Sequence, residues 1–143
     1  MMWYDLGEPI WFQLRIRDYE LGVKMKQNNV IQEKSYEFAL RVVKLYQHLT
    51  REKHEYVLAR QVIRSGTSIG ANVEEAIGAH SQKDFRFKLT IAYKEARETH
   101  YWLRLMRDSG YLSPTQVDSL LESCDELLRI LGSIQKTLKK KSS

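Results

Sequence analysis

Glutamate and histidine are the residues of this sequence that could hold a catalytic metal ion. A di-iron centre in a helical protein needs Glu-x-x-His motifs, whose two ligands lie three residues apart on one helix face. Here Glu75 precedes His80 by five residues, and Glu95 precedes His100 by five. Five residues rotate an α-helix by about 500°, so each His points about 140° away from its Glu. The spacing therefore predicts no metal site and no cofactor.

The stretch "RSGTSIGANVEEA", residues 64–76, contains glycines and hydroxyls that could cradle a phosphate or supply a nucleophile. A phosphate-binding P-loop places a lysine directly after its second glycine, whereas Gly70 is followed by Ala71. Neither Ser68 nor the single cysteine, Cys124, lies in a nucleophile-elbow motif. We expect the Ser68 hydroxyl to bond the preceding helical turn, Cys124 to lie in the core, and the chain to have no enzymatic activity.

Lysine and arginine remain, and their chemistry is phosphate binding. The chain has 23 Lys and Arg against 18 Asp and Glu, which gives a net charge of +5. Four basic residues recur at intervals of three, eight and three, close to whole helical turns, and so predict a basic strip: Lys83, Arg86, Lys94 and Arg97. A second basic group lies at the C-terminus: Lys136, Lys139, Lys140 and Lys141. Both groups are candidate contacts to RNA or DNA, whereas Lys88 and Arg104 are expected to point elsewhere.

Three interpretations of the basic residues stay open at this point. The strip could bind a polyanion directly. Alternatively, Lys94 and Arg97 pair with Glu95, Glu98 and polar groups of the preceding helix, which leaves the C-terminal lysines as the main contact. A solvated helix face without any ligand would look the same in sequence. No RNA-binding motif or paired aromatic platform supports base-specific binding, so we expect none.

Long segments without Gly or Pro predict that these residues are carried by helices and that the chain is all-α. The first helix is predicted over residues 31–52, and the second begins near His54. The third opens at "SQKD" with Ser81 as N-cap and ends before Gly110. The fourth opens at "LSPTQ", where Ser113, Pro114 and Gln116 form a capping box. Four amphipathic helices with short connections favour an antiparallel up-down bundle.

Each helix carries an apolar stripe at 3/4 spacing, which predicts its buried face. On the first helix this stripe comprises Tyr36, Ala39, Leu40, Val43, Tyr46 and Leu49. On the second it runs in phase across the glycines, from Ala59 to Ile77. The third stripe runs from Phe85 to Met106 and the fourth from Val117 to Ile134.

The in-phase stripe predicts that residues 64–76 form a thin helix rather than a loop. Gly66 and Gly70 form a G-x-x-x-G pair, and Gly78 extends the series. Each glycine costs roughly 1 kcal/mol relative to Ala in a helix interior, which close approach of another helix or subunit would offset. We expect a bulky side chain of the third helix, Trp102 or Tyr101, to fill the groove.

Polar residues beside this face are expected to form structural hydrogen bonds within the bundle or between subunits. They are Gln61, Ser68, Asn72 and Glu75 on the second helix, with Glu95 and Glu98 on the third. Arg64, Lys94 and Arg97 are the candidate partners of the three glutamates.

The N-terminal residues differ from the rest, because residues 1–24 contain two of the three tryptophans and no sustained stripe. We expect Met25 to be the native start and residues 1–24 to be translated upstream sequence or a non-native addition. Residues 25–137 then form the bundle domain, with a net charge of +6 over residues 25–143, and residues 138–143 a basic flexible tail. No apolar run reaches the roughly 20 residues of a membrane span, and no signal peptide is evident, so a cytoplasmic location is expected.

The segment from Gln61 to Leu103 resembles the signature of a bacterial family known as four helix bundle proteins, often encoded within intervening sequences of large-subunit ribosomal RNA genes. The resemblance covers about residues 30–137. The matching positions are Gln61, Arg64, Ser68, Ile69, Asn72, Glu75, Ser81, Phe85, Ala92, Glu95, Glu98, Thr99 and Trp102.

This resemblance implies an antiparallel four-helix bundle that assembles into a ring-like homopentamer. It also implies distant similarity to the accessory protein of diversity-generating retroelements, a pentameric bundle whose basic surface binds nucleic acid and a reverse transcriptase. In a pentamer, +6 per subunit becomes about +30, a field able to hold a polyanion.

Two hypotheses for function follow. The first is a non-catalytic homopentameric scaffold that binds RNA or DNA without much sequence preference. The second is a protein-interaction module for another client, such as a reverse transcriptase, in which the positive charge serves solubility.

Overall fold

The structure, a computed structural model, describes residues 22–142, with side chains from residue 30 to residue 140. It contains four helices and, within the described residues, no strand: α1 Gly22–Arg51, α2 Val57–Ile77, α3 Gln82–Asp108 and α4 Pro114–Ser142. The all-α prediction is confirmed. Helix α1 begins earlier than the predicted residue 31, so the expected boundary at Met25 falls in its first turn, and residues 1–21 lie outside the described part. No helix in residues 22–142 is long and apolar enough to cross a membrane.

The helix starts are fixed by side chains that satisfy the unpaired amides of the first turn. The Ser81 hydroxyl accepts a hydrogen bond from the Asp84 amide at 3.0 Å. At α4, the Ser113 amide donates to Gln116 Oε1 at 2.9 Å, and the Gln116 amide donates to Ser113 Oγ at 3.3 Å. This reciprocal pair is the predicted capping box. Gly110, with φ of 88°, adopts the left-handed conformation expected after α3.

The helices pack as a bundle in which α1 and α3 each contact α2 and α4. The buried faces of α2, α3 and α4 follow their predicted stripes, and a single apolar core fills the space between them. It includes Val62, Ile69, Leu103, Leu127 and Leu131, all fully buried. Burial of these side chains is the main driving force for the bundle.

The predicted buried face of α1 is wrong. Its core residues are Ile31, Phe38, Val42, Leu45 and Leu49. Of the predicted stripe only Leu49 is buried, while Tyr36 is 64% and Leu40 49% exposed. The two stripes compete in sequence because Ser35 interrupts the correct one. Ser35 is nevertheless buried, with its hydroxyl donating to the Gln32 carbonyl at 3.2 Å.

The glycine-containing segment forms one continuous helix, as predicted, but the partner in the groove is α1 and not α3. A Cβ atom at Gly66 would lie 2.8 Å from Val42 Cγ1, and one at Gly70 would lie 3.4 Å from the Ser35 carbonyl oxygen. Trp102 and Tyr101 do not fill this groove. Gly78 lies at the C-terminal end of α2, where an added Cβ would meet nothing closer than 3.8 Å. The close approach therefore depends on two glycines, and Gly78 does not extend the series.

Candidate nucleic-acid interface

The predicted basic strip lies on the face of α3 that points away from the core. Lys83, Lys94 and Arg97 are exposed and Arg86 is half-buried, while Leu89, Ala92 and Ala96 form the buried face of the same helix. Among the side chains of residues 30–140, no carboxylate lies within 4 Å of the charged nitrogens of Lys83, Lys94 or Arg97. These three charges are therefore available to an external anion.

The carboxylates that could have neutralised the strip have other partners. Arg64 of α2 pairs with Glu95, at 3.4 Å, and with Glu98. Glu75 pairs with Lys88 at 3.2 Å. Of the predicted partners only Arg64 is used, so the alternative in which Glu95 and Glu98 occupy Lys94 and Arg97 is not supported.

Arg104 belongs to the same side of α3, contrary to expectation. It follows Arg97 by seven residues, which is close to two full turns, and its side chain is exposed. Its Nε donates to His100 Nδ1 at 3.1 Å, and His100 Nε2 lies 3.1 Å from Asp125 Oδ1. Arg104 thus extends the basic face of α3 toward its C-terminal end. Lys88, by contrast, points toward α2, as expected.

The C-terminal lysines are carried by helix rather than by an irregular tail. Helix α4 continues through Ser142, and Leu138 is buried. Gln135 donates to Thr90 Oγ1 of α3 at 3.0 Å, and Lys139 follows Gln135 by one turn. Lys139 therefore lies on the flank of α4 that faces the first half of α3, with Lys136 and Lys140 exposed nearby. The side chain of Lys141 lies outside the described part.

Two exposed aromatic rings on this face were missed in the sequence. Phe87 is 60% and Tyr101 49% exposed. Each lies seven residues from Lys94, so both rings share the strip with the cations. That seven-residue spacing is the signal that could have revealed them.

The predicted polar residues form a network along the seam between α2 and α3. Glu98, besides pairing with Arg64, accepts a hydrogen bond from Trp102 Nε1 at 3.1 Å. Within α2, Arg64 lies 3.5 Å from Gln61 Oε1, the Ser68 hydroxyl donates to the Arg64 carbonyl, and the Asn72 amide donates to the Ser68 carbonyl. Arg64 therefore fastens α2 to α3 through Glu95 and Glu98, whereas the hydrogen bonds of Gln61, Ser68 and Asn72 stay within α2.

The interior offers no activated nucleophile among the described residues. Cys124 is fully buried, and its Sγ lies 3.3 Å from the Ala96 carbonyl, to which the thiol donates. Burial raises the pKa of the Cys124 thiol to about 12. The buried Thr99 and Ser65 hydroxyls bond each other at 2.9 Å. In residues 22–142, no three His, Cys, Asp or Glu side chains are grouped closely enough to hold a metal ion.

A second, apolar surface lies where α1 meets α2. It comprises the exposed Tyr36 and Leu40 and the half-buried Ala39, together with a pocket of about 230 Å³. The pocket is lined by residues of α1 and α2: Ser35, Tyr36, Ala39, Thr67, Gly70, Ala71 and Glu74. We refer to these residues together as the α1–α2 apolar surface.

Comparison with known proteins is informative about family. The model of the family described as 23S rRNA-intervening sequence protein matches residues 27–133. A crystal structure of a protein with unknown function, from the S23 ribosomal protein family of Bacteroides thetaiotaomicron, is 47% identical to this chain with a TM-score of 0.76. The match covers 77% of this chain and 98% of that one. No curated protein matches the chain. With three quarters of its length matched by the family model, the chain belongs to the 23S rRNA-intervening sequence protein family.

Proposed function

We propose that this protein is a non-catalytic, homo-oligomeric scaffold of the bacterial cytoplasm whose basic surface binds RNA or DNA without sequence preference. The observation that carries the proposal is the outward face of α3, where Lys83, Lys94 and Arg97 have no ion-pair partner among the described side chains. Lysine and arginine contacts to phosphate supply sequence-independent affinity by releasing counterions.

The scaffold is proposed to be an antiparallel up-down bundle. Support comes from the partners that meet across each pair of neighbouring helices, because residue numbers rise along one helix as they fall along the next. Between α1 and α2 these pairs are Gln32 with Glu74 and Val42 with Gly66, and between α2 and α3 they are Ser65 with Thr99 and Glu75 with Lys88. Between α3 and α4 they are Thr90 with Gln135 and Arg107 with Asp118, and between α1 and α4 they are Lys34 with Glu126 and Arg41 with Ser119.

Self-association, in the form of a ring-like homopentamer, is proposed to use the α1–α2 apolar surface. Exposed apolar patches of this kind are typical of protein interaction sites. Five copies of a chain with a net charge of +5 concentrate positive charge on one particle, which favours a polyanionic partner.

Binding is tested by fluorescence anisotropy with labelled ribosomal RNA fragments and DNA at salt concentrations from about 50 to about 200 mM. With about four phosphate contacts, affinity should fall roughly 100-fold over this range, and the logarithm of affinity should be linear in the logarithm of salt. The double variant Lys94→Gln, Arg97→Gln should weaken binding and reduce the salt slope by about two.

The matched control is Lys44→Gln, Lys53→Gln, which removes the same charge from exposed positions of α1 and the loop after it. Its salt slope should equal that of the wild type. An identical loss in both double variants would assign binding to net charge alone. Wild-type protein that binds no RNA or DNA at about 50 mM salt would refute the proposed function.

The assembly is tested by light scattering. Five chains of 16.9 kDa make a particle of about 85 kDa. Leu40→Glu should lower that mass, because it places a charge in an apolar contact. Tyr111→Glu, at a similarly exposed apolar residue after α3, should not. If the wild type is a monomer and binds no nucleic acid, the result would instead favour a protein-interaction module, in which the α1–α2 apolar surface binds a protein client such as a reverse transcriptase.

A further inference from the structure

Two aromatic rings on the α3 face are not explained by phosphate binding. Phe87, Lys94 and Tyr101 follow one another at seven-residue intervals and form one ridge, with steps of about 10 Å. Arg97 lies on the same side between Lys94 and Tyr101. The ridge thus places two cations between two rings, and neither cation has an ion-pair partner among the described side chains.

Tyr101 is connected to the polar network of the α2–α3 seam through the ring of Trp102. Its ring packs edge-to-face against Trp102, with centroids 5.0 Å apart and an interplanar angle of 71°. Trp102 is held in turn by its hydrogen bond to Glu98, which pairs with Arg64. Trp102 therefore supports the Tyr101 ring on one side, and Tyr101 remains 49% exposed.

We propose that Tyr101 and Phe87 stack on unpaired bases, so that the α3 face binds single-stranded RNA or DNA in preference to duplex. This inference rests on the proposed nucleic-acid binding and adds the strand class to it. Exposed aromatic rings beside backbone-binding cations are the usual means of single-strand recognition, since every base has a face on which a ring can stack. In a duplex those faces are occupied by neighbouring base pairs, and only the phosphates remain within reach.

The charges on the α3 face favour single-stranded nucleic acid over a protein as its ligand. A protein that covered Phe87 and Tyr101 would also desolvate Lys94 and Arg97, and would need carboxylates at matching positions. A single strand provides phosphates along its whole length and bases beside them.

The inference is tested with a labelled RNA of about 20 nucleotides and mixed sequence, used alone and annealed to its complement. Anisotropy titrations at about 50 mM salt give the ratio of single-strand to duplex affinity. Tyr101→Leu removes the ring but keeps apolar bulk, and should reduce this ratio on the order of tenfold. Tyr101→Phe keeps the ring and should retain the wild-type ratio. Phe87→Leu should act in the same direction as Tyr101→Leu.

Tyr56→Leu is the control, because Tyr56 is 51% exposed but lies before α2. It should leave the ratio unchanged. A wild-type ratio in both Tyr101→Leu and Phe87→Leu overturns the inference while duplex binding still supports the proposed function. If the wild type binds neither form, the proposed function fails together with the inference. A changed particle mass of Tyr101→Leu in light scattering would identify the ridge as a contact between copies, and would also overturn the inference.

Discussion

At the scale of single residues, Gly66 leaves no room for a side chain on the face of α2 that packs against α1. A Cβ atom there would lie 2.8 and 2.9 Å from the two Val42 methyl groups. Gly66→Ala should therefore lower the free energy of unfolding by about 1–3 kcal/mol, although alanine is the better helix former. Urea unfolding followed by circular dichroism measures the change.

Two variants separate this clash from a general effect of glycine replacement. Gly78→Ala adds the same atom at the end of α2, where nothing lies closer than 3.8 Å, and should change stability by less than about 0.5 kcal/mol. Val42→Ala should destabilise less in the Gly66→Ala background than alone, because it removes the two Val42 methyl groups that clash with the methyl group added at position 66. Wild-type stability of Gly66→Ala would contradict the close approach.

Cys124 provides a second test at the residue scale. Burial raises the pKa of its thiol to about 12, from the ordinary value of 9.0. In the unfolded chain the thiol ionises first, so the unfolded state is favoured as pH rises from about 9 toward 12. Between these values the wild type should lose stability more steeply than Cys124→Ala, by up to about 1.4 kcal/mol per pH unit. Parallel pH profiles of the two proteins would show that the thiol is not shielded.

At the scale of elements, the start of α2 depends on a cap that the sequence did not reveal. The buried Glu55 carboxylate accepts hydrogen bonds from the amides of Val57, Leu58 and Ala59, at 3.2, 3.1 and 2.9 Å. A negative charge at this position also complements the helix dipole. Glu55→Ala should cost about 1–2 kcal/mol in thermal or urea unfolding.

Glu52→Ala is the matched control for this cap, because Glu52 is exposed and precedes the helix by five residues. It should leave stability within about 0.5 kcal/mol of the wild type. Equal effects of the two substitutions would show that the cap contributes nothing specific.

The elements differ in how far the sequence determines them. The starts of α3 and α4 were predicted because Ser81 and Ser113 cap them with their own side chains. The buried face of α1 was predicted wrongly, because two stripes of similar apolarity lie on that helix. The choice between them depends on Gly66 and Gly70, which leave room for the Val42 side chain and the Ser35 backbone of α1. This is a tertiary effect, which the spacing of residues within α1 cannot predict.

The candidate site was predicted in part for a similar reason. Spacing placed Lys83, Arg86, Lys94 and Arg97 on one side of α3, because that depends only on helical geometry. Spacing within one helix could not predict that Arg64 forms ion pairs with both Glu95 and Glu98, because these ion pairs join two helices. Arg104 and the two rings were within reach of the same geometry and were overlooked.

At the scale of the whole molecule, we expect RNA binding to weaken by different amounts when the charges of the α3 strip and of the α4 lysines are removed separately. Removal of the residues after Thr137 would also remove the buried Leu138, so substitution is the cleaner experiment. We expect Lys94→Gln, Arg97→Gln to weaken RNA binding more than Lys139→Gln, Lys140→Gln, Lys141→Gln. Anisotropy at about 50 mM salt measures both. Near-complete loss in the triple variant would assign the main contact to α4.

The order of the helices around the bundle places α1 and α3 at diagonal corners, since each packs against α2 and α4. A neighbouring copy seated on the α1–α2 apolar surface would leave the α3 face uncovered. One long strand could then engage several copies of a ring in succession, and each later contact would form at the high effective concentration set by the first. Apparent affinity would rise steeply once an oligonucleotide is long enough to reach a second copy. A particle with weak individual sites would thus retain long transcripts and release short fragments.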